Sequence, residues 1–294
     1  MSYPTISIVT PSYNQAQFLE ETILSVLGQR YPNLEYLIYD AASTDNSVAI
    51  IKKYEKELTF WVSEKDNGQA DAINKGFAKA TGEIFMWLNS DDILMPNILN
   101  FIASQYLEKG DGIYFGNCIH FEEKSNGYLN AKGSYVAMSF KDISLELADT
   151  IIQPSSFWSK NVWLKNGALK EDFHFGFDWE WFLRAKKNNI PFYPLNKPIS
   201  IYRIHESHKS GTGGRKRQEE LLEIYQEYNP GYAQLYKQVM DENFVMSFKE
   251  KVFYRILKSL YGKKITKTGF LKLIKNKEYA KYTEREINII KGML

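Results

Sequence analysis

Ser90-Asp91-Asp92 is the stretch of this chain whose residue types most directly suggest chemistry. Two adjacent carboxylates repel each other unless a cation lies beside them. A hard divalent ion is therefore their natural partner, and such an ion usually completes its shell with substrate phosphates. Five apolar residues, Ile84 to Leu88, run straight into the pair. A run of that length reads as a strand buried on both faces, as in a parallel sheet. Open α/β sheets bind ligands just beyond the carboxyl ends of their strands. Taken by itself, an Asp-Asp pair more often reads as a solvated loop in which Asp92 caps the next helix.

The elements that must position this pair are legible upstream. Thr5 to Thr10 is a strand that stops at Pro11-Ser12-Tyr13-Asn14, and a helix from about Gln17 to Leu27 turns Phe18, Ile23, Val26 and Leu27 inward. Leu34 to Tyr39 is a second strand ending at Asp40, and Ser43 or Thr44 is placed to cap the helix that runs to about Tyr54. Phe60 to Val62 is a third, short strand. Asp66-Asn67-Gly68 is a turn, and Gln69 to Ala80 a helix closed by Thr81-Gly82. Strand and helix alternate with short connections, so the first ~115 residues predict right-handed βαβ units on a parallel sheet. Three strand ends would then converge: Thr10 with Tyr13, Asp40, and Ser90-Asp91-Asp92. Asp40 could accept from a nucleobase edge, Tyr13 pack on the ring, and a metal sit on a diphosphate. No G-x-G-x-x-G follows the first strand and no P-loop Gly-Lys-Ser/Thr occurs anywhere, which argues against a dinucleotide oxidoreductase or a P-loop NTPase.

Composition narrows the class further. The 294 residues suffice for one large or two ordinary domains, and 44% hydrophobic with 24% charged is a soluble globular balance. One cysteine, Cys118, fits a reducing compartment and no disulfide framework. A strand begins within five residues of the start, so no signal peptide is expected, and no apolar run reaches the ~20 residues of a membrane span. Residues 245–294 hold 13 Lys/Arg and 4 Asp/Glu, a charge of +9. With +2 for the whole chain, that leaves −7 for residues 1–244. An acidic body with a basic tail argues against a nucleic-acid-binding core.

The stretches Ile8-Val9-Thr10-Pro11-Ser12-Tyr13-Asn14, Asp40-Ala41-Ala42-Ser43-Thr44-Asp45-Asn46-Ser47, Asp66-Asn67-Gly68-Gln69-Ala70-Asp71-Ala72-Ile73-Asn74-Lys75-Gly76, Ala80-Thr81-Gly82-Glu83 and Asn89-Ser90-Asp91-Asp92 occur in this order. Together they resemble the donor half of family-two glycosyltransferases, which use nucleotide sugars and have the GT-A fold. The resemblance implies an α/β, Rossmann-type, mostly parallel sheet flanked by helices. It also implies that Asp40 contacts the base and that Asp92 ligates Mn2+ or Mg2+. Ser90 departs from a strict Asp-x-Asp motif and leaves Asp91 to the donor ribose or sugar. Thr10, Pro11, Tyr13, Asn14 and Ser90 complete the expected donor contacts. Asp71 and Asn74, three apart on a helix, share a face that meets the donor or merely caps the sheet.

The second half carries what the resemblance implies for the acceptor side. Gly112 to Phe115 is another strand. Cys118 to Val136 reads as a hairpin or loop with turns at Gly127 and Gly133. Gln153, in Gln153-Pro154, is expected near the acceptor. In Phe177-Asp178-Trp179-Glu180-Trp181, the family's acidic pair keeps only its Asp, so Asp178 is the expected general base, ionised by a helix N-terminus. The bland role of Glu180 is an ion pair with Arg184. Trp179 and Trp181 are ordinarily core, and one of them could equally form a sugar-stacking wall for the acceptor. Arg203 and His205 lie on one face of an extended segment, and the resemblance puts His205 beside the metal and diphosphate. Ser210 to Arg217, glycine-rich and basic, suits a lid over a diphosphate or a plain solvated loop. Beyond Gly214 the chain is helical. Apolar residues from Phe248 to Leu260 alternate with Lys and Arg, so this region either lies on anionic lipid or docks on its own domain.

The expectation is thus a metal-dependent inverting glycosyltransferase that moves a sugar from a nucleoside diphosphate, uridine by default from the resemblance. The acceptor would be a hydroxyl of a glycan or lipid-linked molecule, in surface-polysaccharide assembly. Residues 1–115 would form the donor half, 116–213 the acceptor and base half of the same domain, and 214–294 a basic helical region. The setting is cytoplasmic, at the inner membrane face if the helices contact lipid, with no nucleic-acid partner. Two alternatives stay open. A nucleotidyltransferase would need a glycine-rich basic loop after the first strand, where this chain has Pro11-Ser12-Tyr13-Asn14. A silent nucleotide-sugar-binding protein would be expected to lose Asp92 or Asp178.

Overall fold

The computed structural model describes residues 3–123, 129–134, 141–205, 209, 213–242, 248–262, 265–266, 268–270, 272 and 279–294. The chain begins with β1 (Ile6–Ser12), α1 (Ala16–Leu27), β2 (Leu34–Asp40), α2 (Ser47–Lys53), β3 (Phe60–Ser63), α3 (Gln69–Lys79) and β4 (Ile84–Trp87). These four strands run parallel in the order β3-β2-β1-β4. The chain thus steps outward from β1 to β3 and returns on the other side of β1 as β4. That reversal opens a crevice at the carboxyl ends of β1 and β4, where such sheets bind ligands. Next come β5 (Ile93–Leu94), α4 (Ile98–Lys109), β6 (Ile113–Glu123), β7 (Leu129–Gly133), a 3-10 turn (Gln153–Ser155), β8 (Ser156–Ser159), α5 (Lys160–Asn166), α6 (Phe177–Lys187) and β9 (Phe192–Ile204). β8 fits antiparallel between β4 and β6, β9 runs parallel to β6, and β5 and β7 add antiparallel edges. The sheet is therefore mixed, its parallel half coinciding with the donor motifs.

β1 runs two residues past its expected end, through Pro11. Thr5 and Val9 accept from the β4 side, whereas Ile6 and Ser12 bond toward β2. By this alternation the missing N–H of Pro11 faces β4, whose pairing with β1 has already ended at Val9–Trp87. No ladder bond is lost, which is what lets a proline sit in a central strand. Similarly, β6 extends well beyond Phe115 because its distal half pairs with β9 and β7. The expected hairpin is that β6–β7 pair, and Gly127 and Val136 lie outside the described residues.

Period-two alternation sends the side chains of β4 to opposite faces. Ile84 and Met86 join Ile6, Ile8, Ile38, Leu19, Ile23, Val26 and Ile102 in an aliphatic core under α1 and α4. Phe85 and Trp87 enter an aromatic layer on the other face, with Phe77 stacked on Phe85 at 4.9 Å and Trp158 5.1 Å from Trp87 and 4.8 Å from Trp181. Two family motifs have packing reasons. A Cβ at Gly76 would sit 2.8 Å from Val9 Cγ2, so only glycine lets α3 lie this close to β1. Gly82 is crowded by Ser7 and the Thr5 carbonyl. Its N–H, with the N–H and hydroxyl of Thr81, is accepted by Glu35.

The chain divides into two compact units, Met1–Asp142 with Thr150–Gly213, and Ile143–Asp149 with Gly214–Leu294. The second unit is helical: α7 (Gly214–Tyr228), α8 (Pro230–Glu242), α9 (Phe248–Tyr261) and α10 (Glu284–Gly292). Tyr225 and Tyr236 pack at 5.0 Å between α7 and α8, and the Tyr225 hydroxyl donates to the Leu147 carbonyl at 2.7 Å. A capping box of Thr283 and Glu286 starts α10. No helix among the described residues is long and apolar enough to cross a membrane.

Candidate active site

The tight turn after β4 is fastened on three sides. Asp92 N–H donates to the Asn89 carbonyl at 3.1 Å, and the Thr22 hydroxyl of α1 lies 2.9 Å from the Ser90 carbonyl and 2.8 Å from that of Asp92. Arg203 of β9 donates to the Asp91 carbonyl at 3.3 Å, pairs with Glu21 and stacks over Phe18 at 4.9 Å. His205 follows it on the same face, and its Nε2 lies 3.1 Å from Asp91 Oδ2. The imidazole expected beside the metal and diphosphate therefore lies on Asp91, next in sequence to the expected ligand Asp92. Asp92 is not a helix cap either, since the next helix begins at Ile98 behind Asn97.

Asp92 is 1% exposed. Among the described residues its Oδ2 accepts from Asn89 Nδ2 at 3.1 Å and its Oδ1 has no hydrogen-bond partner. Burial, and after it the charge of Asp91, push its carboxyl well above the ordinary aspartate range, while the Arg203 backbone N–H and charge lie close enough to oppose the rise. A buried carboxylate oxygen without a donor is the mark of a site that is completed by a cation or a proton. Oxygen donors with one imidazole match the preferences of Mn2+, and oxygen donors those of Mg2+. Among the described residues no three acidic, histidine or cysteine groups form a metal cage. A cation here would therefore share its shell with ligand phosphate oxygens, so the residues fit the group.

A polar relay crosses the same crevice. Lys209 Nζ donates to Gln69 Oε1 at 2.9 Å, and Gln69 Nε2 to Asn89 Oδ1 at 2.7 Å. Asn89 Nδ2 serves Asp92 and reaches Gln153 Oε1 at 3.5 Å. Gln69 and Asn89 stand inside the quoted motifs without an assigned role. Their contact joins a helix start to a strand end, which local pattern does not reveal. Lys209 also lies 5.2 Å from the Phe177 ring, itself 6.1 Å from Trp87. This brings the first turn of α6, with half-buried Asp178 as its second residue, to the end of β4. Buried Glu180 is gripped by Arg184 through Nε (3.1 Å) and Nη2 (2.9 Å), the ion pair expected, and by Lys170 at 3.2 Å.

Asp40 closes the other side of the crevice. Buried, it accepts from Ser43 N at 2.9 Å, Ser43 Oγ at 2.5 Å and Ser63 Oγ at 2.6 Å. Three of roughly four lone-pair sites are used, and one remains for a ligand donor. Ser43 and Thr44 are thus not helix caps. They tie this loop to Asp40 and to Asn14, whose backbone is left-handed at φ 51° and whose Oδ1 accepts from Thr44 N at 2.8 Å. Tyr13 is 61% exposed, a free ring beside this loop.

Several expected contacts have other duties. Thr10 is buried, with its hydroxyl 3.1 Å from that of Tyr36, and Pro11 is buried in β1. Asn14 is taken by the Ser43–Thr44 loop, and Ser90 is buried with its carbonyl on Thr22. Asp71 accepts from Asn67 N and Lys75. Burial alone would raise its carboxyl, but these bonds hold it below the ordinary value. Asn74 exchanges both amide bonds with the Leu169 backbone, so the shared face of Asp71 and Asn74 is structural. Gln153 is buried and donates to the Trp87 carbonyl at 2.7 Å, positioning the end of β4. Trp179 and Trp181 are buried, and Trp181 Nε1 bonds the Gly167 carbonyl, so neither is a sugar-stacking wall. The expected lid falls partly outside the described residues, at 210–212.

Comparison with known proteins gives the family and the fold. The family model Glycosyl transferase family 2 matches residues 7–167. A Bacillus subtilis protein named for teichuronic acid biosynthesis, the glycosyltransferase TuaG, is 39% identical over 92 residues, covering 30% of this chain and 36% of its own. Other curated relatives are spanned over 66% and 35% of their length. Among solved structures, Staphylococcus aureus TarS 1-349 in complex with UDP-GlcNAc superposes with a TM-score of 0.61 at 18% identity, covering 94% of this chain and 77% of that one. The mannosyltransferase PcManGT of Pyrobaculum calidifontis, in complex with GDP-Man and Mn2+, gives 0.60 at 15% identity, covering 98% and 86%. At such identities the structural likeness establishes the fold.

Proposed function

The chain belongs to glycosyl transferase family 2, and from that premise we propose that it is an inverting, cation-assisted glycosyltransferase. It moves one sugar from a nucleoside diphosphate, UDP in our reading, to a hydroxyl of a glycan or lipid-linked acceptor in surface-polysaccharide assembly. The observation that carries the proposal is the Asp91-Asp92 turn at the switch point of the sheet, with His205 on Asp91 and an unpartnered oxygen on Asp92. The name of TuaG supports the polysaccharide setting, and the UDP-GlcNAc complex of TarS supports the class of donor.

In this reading the free lone pair of Asp40 takes a base N–H, and the exposed ring of Tyr13 covers the base. Asp91, Asp92 and His205 are the residues that would hold Mn2+ or Mg2+. When bound, the ion supplies Lewis-acid stabilisation of the charge that grows on the diphosphate. The acceptor oxygen attacks the anomeric carbon opposite the diphosphate, and the bond to the leaving oxygen breaks. Asp178 takes the hydroxyl proton as the new bond forms. Holding both substrates in one crevice removes much of the entropic barrier. We further propose that the donor half spans residues 1–115, that the acceptor and base half spans 116–213, and that the enzyme acts in the cytoplasm.

The test is product analysis with a panel of UDP- and GDP-sugars and acceptor glycans, for wild type and Asp178→Asn. Transfer should fall by about 10²–10⁴ in the variant while calorimetry shows unchanged donor affinity. Free nucleotide with no glycosylated product from any acceptor, or donor binding lost together with transfer, would count against it.

A further inference from the structure

α9 gathers four large apolar residues on one side and leaves them in solvent. Val252, Phe253, Ile256 and Leu260 are 40%, 51%, 51% and 71% exposed. At about 100° per residue these four fall within an arc of roughly 100°. Lys251, Arg255 and Lys258, all exposed, cluster on the far side of the helix, whereas Lys249, also exposed, lies on the apolar side. Phe253 and Tyr254 pack near Phe270, at 5.8 and 5.4 Å, which steadies one flank and leaves Val252, Ile256 and Leu260 outward.

A surface helix normally turns its apolar stripe into the core. Here the stripe is outside, with a cluster of cations on the opposite face. Residues 248–261 hold four Lys/Arg and one Glu, a charge of +3, within a tail segment whose total is +9. Charge selects the occupant. An isologous second copy would set this basic helix against itself, like charge on like. An anionic lipid surface instead offers an apolar interior for the stripe and phosphates for the cations.

We propose that α9 is an interfacial membrane anchor. It lies in the plane of an anionic lipid surface, with Val252, Ile256 and Leu260 at the acyl boundary and Lys251, Arg255 and Lys258 reaching headgroup phosphates. The proposal is independent of the transferase reading, since its test needs neither sugar nor nucleotide.

The test is sedimentation of the full chain with vesicles of phosphatidylcholine alone and vesicles doped with phosphatidylglycerol. Binding is expected only to the doped vesicles, weakening as salt screens the charges. Arg255→Gln with Lys258→Gln should weaken it about 25-fold, since each cation near such a surface contributes about fivefold. Ile256→Ser with Leu260→Ser should weaken it by more than about a hundredfold. Both pairs are exposed, so circular dichroism and melting temperature should match wild type. The proposal is overturned if the full chain ignores anionic vesicles, or if the Ser pair binds them as tightly as wild type does. A concentration-dependent dimer, dispersed by the Ser pair and indifferent to vesicles, would also overturn it by giving the face to a second copy.

Discussion

Removing the guanidinium from Arg184 is the most informative perturbation of the first unit. Glu180 has no exposure, and two of its three cationic contacts come from Arg184. Arg184→Met would leave that carboxylate to Lys170, which is itself 37% exposed. Stripping one partner from a buried ion pair typically costs about 3–5 kcal/mol. Lys170 is retained, which favours the lower end, about 3 kcal/mol. The bonds from Arg184 to the carbonyls of Asn166 (2.6 Å) and Ala168 (2.8 Å) are lost as well, adding about 1–2 kcal/mol. Glu180→Met with Arg184→Met removes both charges and keeps apolar volume, so only the carbonyl bonds remain lost, about 1–2 kcal/mol. The double variant should therefore be more stable than the single one. All six tryptophans (61, 87, 158, 163, 179 and 181) lie in the first unit, so fluorescence-detected guanidinium unfolding reports on it directly. Because Glu180 lies two residues from Asp178, transfer rates should follow the same order, the double variant above the single. A double variant no more stable than Arg184→Met, or a single costing under about 1 kcal/mol, would refute the idea that an uncompensated buried charge sets the magnitude.

Three further outcomes are expected. Burial alone would raise the Glu35 carboxyl, but bonds from Ser7, Thr81 and Gly82 hold it below the ordinary value. Its stabilisation is full above the normal glutamate range and is lost as pH falls through the lowered value, so Glu35→Gln should flatten the acid limb of a melting-temperature profile. Gly76→Ala forces a methyl into Val9 and should cost about 1–3 kcal/mol in the same unfolding assay. A thermal-shift titration should show that manganese augments the melting rise produced by UDP, and Asp91→Ala should abolish that increment. A full increment in the variant would take Asp91 out of the cation site.

The parallel half of the sheet was readable because its signals are local. An apolar run ending at Asp91-Asp92 marks a buried strand and its tip, whereas the tight packing at Gly76 and Gly82 came only from the structure. The Glu180–Arg184 pair was readable because four residues make one helical turn. For Asn74, Trp179 and Trp181 the sequence left packing and ligand roles open, and the structure shows the packing: Asn74 on the Leu169 backbone and both indoles buried, with Gln153 holding the Trp87 carbonyl. A motif shows that a residue is constrained, but not whether packing or a ligand constrains it.

What the sequence determined by itself is the alternation of strands and helices, the carboxyl tips of β1, β2 and β4, and hence the carboxylates at the last two. Periodicity of two or of 3.6 is carried by neighbouring residues. The tertiary structure alone decided which side chains face the crevice. His205 reaches Asp91 across 114 residues, Gln153 reaches Trp87 across 66, and Lys209 reaches Gln69 across 140. Contacts at such separations depend on strand order and register, which no window of local sequence contains. The apolar stripe of α9 is the converse case: its period was plain in the sequence, and only the fold revealed that it is exposed.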